Sequence, residues 1–192
     1  MTNEELRQLK DEVLNMNTRN GRSLKFTFVK GGPKFTIAYK YNDGGRKDCG
    51  FKGYTGDCVT RAIAIANKMD YRKAYKLVDS FGQKEYRTKR RVKKGRSAAR
   101  TGVYKQTSKK ILKKLGWEWK PPMFIGSGCK VHLRSKELPM GTLIVSVSKH
   151  LTTVIDGVIN DTHDCSRDGT RCVYGYWYRK GDHNGREKRS NG

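Results

Sequence analysis

Residues 56–64 of this chain read GDCVTRAIA, and this stretch predicts the first helix of the folded domain. Asp57 can begin the helix, and Cys58 then lies in its first turn. The apolar residues of the following turns recur at i, i+3, i+4 and i+7: Val59, Ala62, Ile63 and Ala66. Free backbone N–H groups and the helix dipole stabilise a thiolate in a first turn, and the same N–H groups can bind an oxyanion.

Secondary-structure signals on either side of this stretch are segregated along the chain. Residues 2–16 predict an N-terminal helix, and 24–41 predict a β-hairpin that turns at 31–33. Two further helices follow the first, one capped by Asp70 and one over about 103–115. The last third predicts strands, at 142–148, 151–155, 158–161 and 173–178. Helices that precede a run of strands indicate an α+β fold.

The length of 192 residues fits one domain with short extensions. We expect an N-terminal extension of helix and hairpin over 1–45 and a main domain over 46–179. The main domain carries a basic insertion at about 84–100, and a disordered basic tail occupies 180–192.

The amino-acid composition limits the classes of protein to which this chain can belong. The formal net charge is +24, and the mean hydropathy of −0.84 is low, but the 10% aromatic residues are enough for a core. No apolar run is long enough to cross a membrane, and the first residues lack the features of a secretory signal. We therefore expect a cytosolic protein whose five cysteines are reduced: Cys49, Cys58, Cys129, Cys165 and Cys172.

The cysteines do not predict a metal site. No CxxC pair is present, and the nearest approach to a zinc ligand set is His163 with Cys165 and Cys172. We expect neither a metal nor another cofactor.

The charge is concentrated in residues 84–114, where fourteen Lys and Arg stand against one acid, Glu85. This net charge of +13 indicates a DNA or RNA partner, and a solvated face that only aids solubility is the alternative. The residues predicted to contact nucleic acid are Arg87, Lys89, Arg90, Arg91, Lys93, Lys94, Arg96 and Arg100. Trp117 and Trp119 alternate in a predicted strand, where sheet packing is a commoner role than base stacking.

The last third of the chain contains a histidine that can act as general base for the Cys58 thiol. A two-residue turn at Asp156-Gly157 places Asp161 opposite Thr152, so His150 lies diagonal to Asp161 on the same sheet face. Asp161 can then accept from His150 Nδ1 and leave Nε2 for the thiol. Asp164 and Asn160 are weaker candidates for this role, and Asn160 points to the opposite face.

These residues resemble the papain-like cysteine peptidases, in particular phage-encoded proteins with the same layout. The matching pieces, spread over residues 50–180, are GDCVTRAIA at 56–64, LPxG at 138–141, VSVSxH at 145–150 and DGVIxDT at 156–162. The resemblance implies Cys58 as nucleophile, His150 as general base and Asp161 as orienting group. Each residue alone is better explained by packing or a turn, whereas their joint spacing favours a triad.

One departure from the family concerns the oxyanion hole. Papain-like enzymes usually carry a Gln six residues before the cysteine, and Lys52 occupies that position here. Asn42, Tyr54 or Thr55 can substitute, and the sequence does not choose among them.

Two functions follow from these patterns. The first is a phage-type cysteine hydrolase that cuts a peptide or isopeptide bond of a protein substrate in the host cytoplasm. The second is a basic nucleic-acid-binding or virion-associated protein whose thiol site is vestigial.

Overall fold

The computed structural model describes residues 27–29, 32–34, 37–86, 95–124 and 126–181. Within these ranges the helices are α1 (Cys58–Ala66), α2 (Tyr71–Gln83) and α3 (Lys105–Lys114). The strands are β1 (Thr27–Val29), β2 (Gly32–Lys34), β3 (Ala38–Tyr41), β4 (Glu118–Lys120), β5 (Thr142–Val147), β6 (His150–Ile155), β7 (Val158–Asp161) and β8 (Gly175–Tyr178). The predicted helix over 2–16 and almost all of the predicted tail lie outside the described residues.

The main sheet has six strands in the order β3-β7-β6-β5-β8-β4. All neighbours are antiparallel except β3 and β7, which pair in parallel. The α+β class predicted from the sequence is therefore confirmed.

The predicted hairpin over 24–41 is wrong in its second strand. The strands that pair there are β1 and β2, with Val29 opposite Gly32 and Thr27 opposite Lys34. Residues 38–41 instead form β3, where Ala38 pairs with Val158 and Tyr41 with Asp161. Alternating apolar residues predict a strand but not its partner, and the partner here is more than a hundred residues away.

The two faces of the sheet bury different cores. One face packs on the helices, and its core joins Ile144 and Trp177 to residues such as Ile63 of α1. The other face buries Val145, Val154 and Ile159 under the loops around Leu133 and Val173. Tyr176 and Trp177 belong to opposite cores, as their neighbouring positions in one strand require.

The turn between β6 and β7 sets the pairing register of these two strands. Asp156 and Gly157 have φ values of 49° and 73°, and both join β6 to β7 with Ile155 opposite Val158. A hairpin turn of two residues at positive φ has a backbone twist that matches the twist of the strands it joins. The predicted register of this hairpin is confirmed.

The expectation of five reduced cysteines is wrong for two of them. Cys129 and Cys172 form a disulfide with a Cα–Cα distance of 5.8 Å, while Cys49, Cys58 and Cys165 are free. The two partners are 43 residues apart in sequence, and spacing alone does not reveal such a contact.

Among the described residues, none of the helices is both long enough and apolar enough to cross a bilayer.

We predict that Gly82→Ala destabilises the domain by about 1–3 kcal/mol, more than any gain in helix propensity. A Cβ at Gly82 would lie 2.0 Å from the backbone oxygen of Ser97, so the last part of the basic insertion must shift. Urea denaturation measures the change, and the neighbouring exposed Gln83→Ala is the control. Equal stability of both variants and the parent would show that Ser97 does not rest on Gly82.

Candidate active site

The structure brings together the three residues predicted to form a triad. Cys58 is the first residue of α1, His150 is the first residue of β6, and Asp161 is the last residue of β7. His150 is hydrogen bonded to Asp161, and its imidazole lies close enough to the Cys58 thiol to lower the pKa of that thiol. α1 packs across β6, where Thr153 Oγ1 donates to the carbonyl of Ala62. This packing holds the start of the helix beside the start of the strand.

The orientation of the imidazole is opposite to the predicted one. His150 Nε2, not Nδ1, lies 2.7 Å from Asp161 Oδ2. A carboxylate only accepts, so Nε2 carries the proton and Nδ1 is the ring nitrogen left for the thiol. The hairpin register places the side chains of His150 and Asp161 on one face of the sheet. It does not fix the rotation of the imidazole, which depends on the position of the Cys58 sulfur.

Asp161 is buried and held from several sides. Its Oδ1 accepts from Arg61 Nη2 at 3.1 Å and from the backbone N–H of Thr162 at 2.7 Å. Burial raises the pKa of this carboxyl, but the hydrogen bond and charge of His150, with Thr162 and Arg61, lower it to about 2 overall. Asp161 therefore stays ionised and orients the ring of His150.

The imidazole and the thiol stabilise each other in their charged forms. Burial lowers the pKa of His150, but the hydrogen bond and charge of Asp161, with the nearby thiols of Cys165 and Cys58, outweigh burial and raise it. Burial raises the pKa of Cys58, yet hydrogen bonds from His150 and the Leu151 N–H, with the nearby charges, lower it overall. These opposite shifts favour a thiolate beside an imidazolium over a neutral thiol beside a neutral ring.

Arg61 links this site to a second buried carboxylate. Its guanidinium contacts Asp57 as well as Asp161, and Asp57 also accepts from Tyr71 and lies 3.3 Å from Arg46 Nε. Asp57 occupies the N-cap position, but its side chain caps no N–H group of α1. Arg61 therefore pairs with both carboxylates, and Asp57 stands at the predicted start of α1 with its carboxylate turned toward these cations and not toward the helix N–H groups.

The weaker candidates for the third member have other partners. Asp164 is exposed, and its Oδ1 accepts from the N–H of Ser166. Asn160 donates to the carbonyl of Val158 and accepts from Asn42 Nδ2. Asn160 pairs with Thr153, whose side chain faces α1, so it lies on the predicted opposite face from Asp161.

Within the described residues, no hydrogen bond joins Cys58 to a side chain considered for the oxyanion hole. Lys52 is exposed, and Tyr54 is 98% exposed. Thr55 donates its hydroxyl proton to the carbonyl of Arg100 at 2.6 Å, while Asn42 is bonded to Asn160. The hydrogen-bond donors available for an oxyanion are the first backbone N–H groups of α1, which the Asp57 side chain leaves uncapped.

Cys165 is the site residue that the sequence did not place. Its thiol, His150 and Asp161 each present a donor atom within 4.8 Å of the others. A divalent cation there would compete with the His150–Asp161 hydrogen bond for the same carboxylate. The zinc set considered from the sequence does not assemble, because His163 is exposed and Cys172 is bonded to Cys129.

The basic insertion is described only at its two ends, 84–86 and 95–100. Arg87, Lys89, Arg90, Arg91, Lys93 and Lys94 lie outside the described residues, whereas Arg96 and Arg100 are exposed. The carbonyl of Arg100 accepts from Thr55 and from the N–H of Gly56 at 2.9 Å. The insertion therefore returns to the fold directly beside the residues that precede Cys58.

Comparisons of the chain with models of known protein families, with curated proteins and with solved structures found no match. The chemistry of the site is therefore the basis for inferring a function. A thiol paired with an oriented imidazole beside free N–H groups can attack a carbonyl carbon and stabilise the oxyanion that forms.

We predict that iodoacetamide captures Cys58 with a pH midpoint below the value of about 8.5 that is usual for a thiol. Asp161→Ala should raise this midpoint, because His150 loses the partner that favours its imidazolium. Asp161→Asn should be milder, since its amide oxygen still accepts from Nε2–H. Peptide mass mapping separates Cys58 from the other free cysteines, Cys49 and Cys165.

Asp164→Ala is the matched control, because Asp164 is exposed and bonded only to the backbone of Ser166 among the described contacts. A midpoint that moves in this variant and stays constant in Asp161→Ala would assign the orienting role to the wrong carboxylate.

Proposed function

We propose that this protein is a papain-like cysteine hydrolase of phage type that cleaves a peptide or isopeptide bond. The observation that carries the proposal is the hydrogen bond from His150 to the buried carboxylate of Asp161, with the Cys58 thiol near enough to the same imidazole for its pKa to be lowered. A cysteine that starts a helix, followed far downstream by a strand-borne His and then by Asp, is the order that the resemblance implies. The α+β arrangement is compatible with that assignment.

The reaction follows from the roles of the three residues. The Cys58 thiolate attacks the carbonyl carbon, and the backbone N–H groups at the start of α1 stabilise the oxyanion. His150 gives its Nδ1 proton to the leaving amine as the C–N bond breaks, which leaves a thioester. His150 then takes a proton from water, and the resulting hydroxide attacks the carbonyl carbon of the thioester. The C–S bond breaks, which releases the acid and restores the Cys58 thiolate. Asp161 holds the ring throughout and favours the imidazolium.

The acceptor of the acyl group decides the net reaction. Water gives hydrolysis, an amine gives acyl transfer, and attack on a side-chain amide gives deamidation. Hydrolysis in the host cytoplasm, with or without association with the virion, is the version that we propose. No cofactor enters any of these steps.

We predict that p-nitrophenyl acetate transfers its acetyl group to Cys58 and releases p-nitrophenol in a burst. Intact-protein mass spectrometry should detect the acetyl group, and peptide mapping should place it on Cys58. Cys58→Ala should abolish both signals while the circular dichroism spectrum is unchanged, because Cys58 is a small, half-buried side chain at the helix start.

Cys49→Ser is the matched control, since Cys49 is another half-buried free thiol that contacts Asp70 rather than an imidazole. Equal acetylation of Cys49 and Cys58 in the parent would refute the claim of an activated nucleophile.

A second function, binding of DNA or RNA, is favoured by the charge of residues 84–114. Fourteen basic residues oppose one acid there, and the acid is engaged by the protein, because Glu85 accepts from Thr107 and from the N–H of Ser97. The two functions are compatible, because the insertion ends beside the loop that leads to Cys58. Phosphate contacts can thus bring the hydrolase to a target bound to nucleic acid.

We predict binding to DNA or RNA without sequence preference and with affinity that falls steeply as salt rises. Neutralising Arg90, Arg91, Lys93 and Lys94 together should reduce the log–log salt slope by as much as about 3, since each phosphate contact contributes about 0.7–0.9. Fluorescence anisotropy over a salt series measures the slope.

The matched control neutralises the same number of exposed lysines outside residues 84–114, namely Lys40, Lys68, Lys76 and Lys130. An equal loss of slope in both variants would assign binding to net charge alone, and a salt-independent affinity would remove the proposal.

A further inference from the structure

A pocket of about 560 Å³ lies at the opposite edge of the sheet from β3 and β7. All three tryptophans of the chain line it: Trp117, Trp119 and Trp177. Trp117 and Trp177 are buried, whereas Trp119 is half-buried and belongs to β4, the edge strand. The pocket therefore has an aromatic wall with one ring that remains partly open to solvent.

Two lysines of α3 complete the pocket. Lys109 and Lys113 both line it, and Lys109 Nζ lies 5.7 Å from the centre of the Trp119 ring. The single acid in the lining, Glu118, already accepts from Lys180 at 2.9 Å and from the Tyr178 hydroxyl at 3.1 Å. The uncompensated charge of the lining is positive, so the pocket combines an aromatic surface with sites for an anion.

We propose that this pocket holds an unpaired base of single-stranded nucleic acid, stacked on Trp119, with the adjoining phosphate paired to Lys109 or Lys113. The inference rests on the proposed affinity for nucleic acid and adds a base-binding site to it. An aromatic ring beside cations is the combination that single-stranded nucleic acid requires, because every base has a flat face and every linkage has a negative charge.

Charge complementarity selects this occupant over an apolar one. α3 belongs to the basic stretch 84–114 and carries exposed lysines at 105, 110, 113 and 114. A strand whose phosphates follow this helix passes the mouth of the pocket at Lys113. Stacking tolerates any sequence, which agrees with the expected lack of sequence preference.

The test uses tryptophan fluorescence, which reports on this pocket alone because all three tryptophans line it. The full-length protein is titrated with an oligothymidylate of about 12 nucleotides and with an abasic strand of the same length. We expect the oligothymidylate to quench the emission and the abasic strand to bind with little quenching. Trp119→Leu should weaken oligothymidylate binding by about fivefold or more and leave abasic binding unchanged.

Lys113→Gln and Lys110→Gln provide a matched pair, because both lysines are exposed on α3 and only Lys113 lines the pocket. Lys113→Gln should reduce binding and quenching more than Lys110→Gln does. This pair and the two parent titrations remain decisive if Trp119→Leu does not fold. Cys58→Ala should quench as the parent does, which separates this site from the hydrolase.

Three results would overturn the inference in different ways. Equal binding of both strands without quenching leaves the basic segment as the binding surface and removes the base site. Binding of neither strand removes the proposed nucleic-acid affinity as well. Quenching by free thymidine monophosphate at the same nucleotide concentration, as strong as that by the strand, assigns the pocket to a mononucleotide instead.

Discussion

The guanidinium of Arg61 lies between two buried carboxylates, those of Asp57 and Asp161, which are 104 residues apart in sequence. Each of these acids is almost inaccessible to water, so each needs a cation or donors to remain ionised. Because Arg61 is in the second turn of α1 and Asp161 ends β7, this pair of contacts fixes the helix against the sheet. The position of Cys58 follows from that, since it starts the same helix.

The same network determines what the site can do. Asp161 uses one oxygen for Arg61 and Thr162 and the other for His150, so its carboxylate has no freedom to rotate. The imidazole is thereby oriented with Nε2 toward the acid. Asp57, drawn toward Arg61, Arg46 and Tyr71, leaves the first N–H groups of α1 uncapped beside the sulfur. One set of ion pairs therefore orders the base and keeps the oxyanion donors available.

The described basic residues of the stretch 84–114 lie outside this network. The basic insertion rejoins the fold at Arg100, next to the loop before Cys58, and α3 carries further lysines to the tryptophan pocket at the β4 edge. The proposed polyanion contacts and the proposed thiol chemistry therefore use different residues. Such a division would allow a partner to be held at the β4 edge while a bond is cut where α1 begins beside β6 and β7.

Local patterns in the sequence were enough to predict α1, the hairpin of β6 and β7, and the shared face of His150 and Asp161. Each depends on neighbours a few residues apart: apolar spacing in the helix, and two residues that accept positive φ at Asp156-Gly157. Tertiary structure alone decided the contact of Arg61 with Asp161, the ring orientation of His150, the parallel pairing of β3 and the place of Cys165. These depend on which elements pack together, and long-range packing brings together charges whose separation in sequence carries no signal.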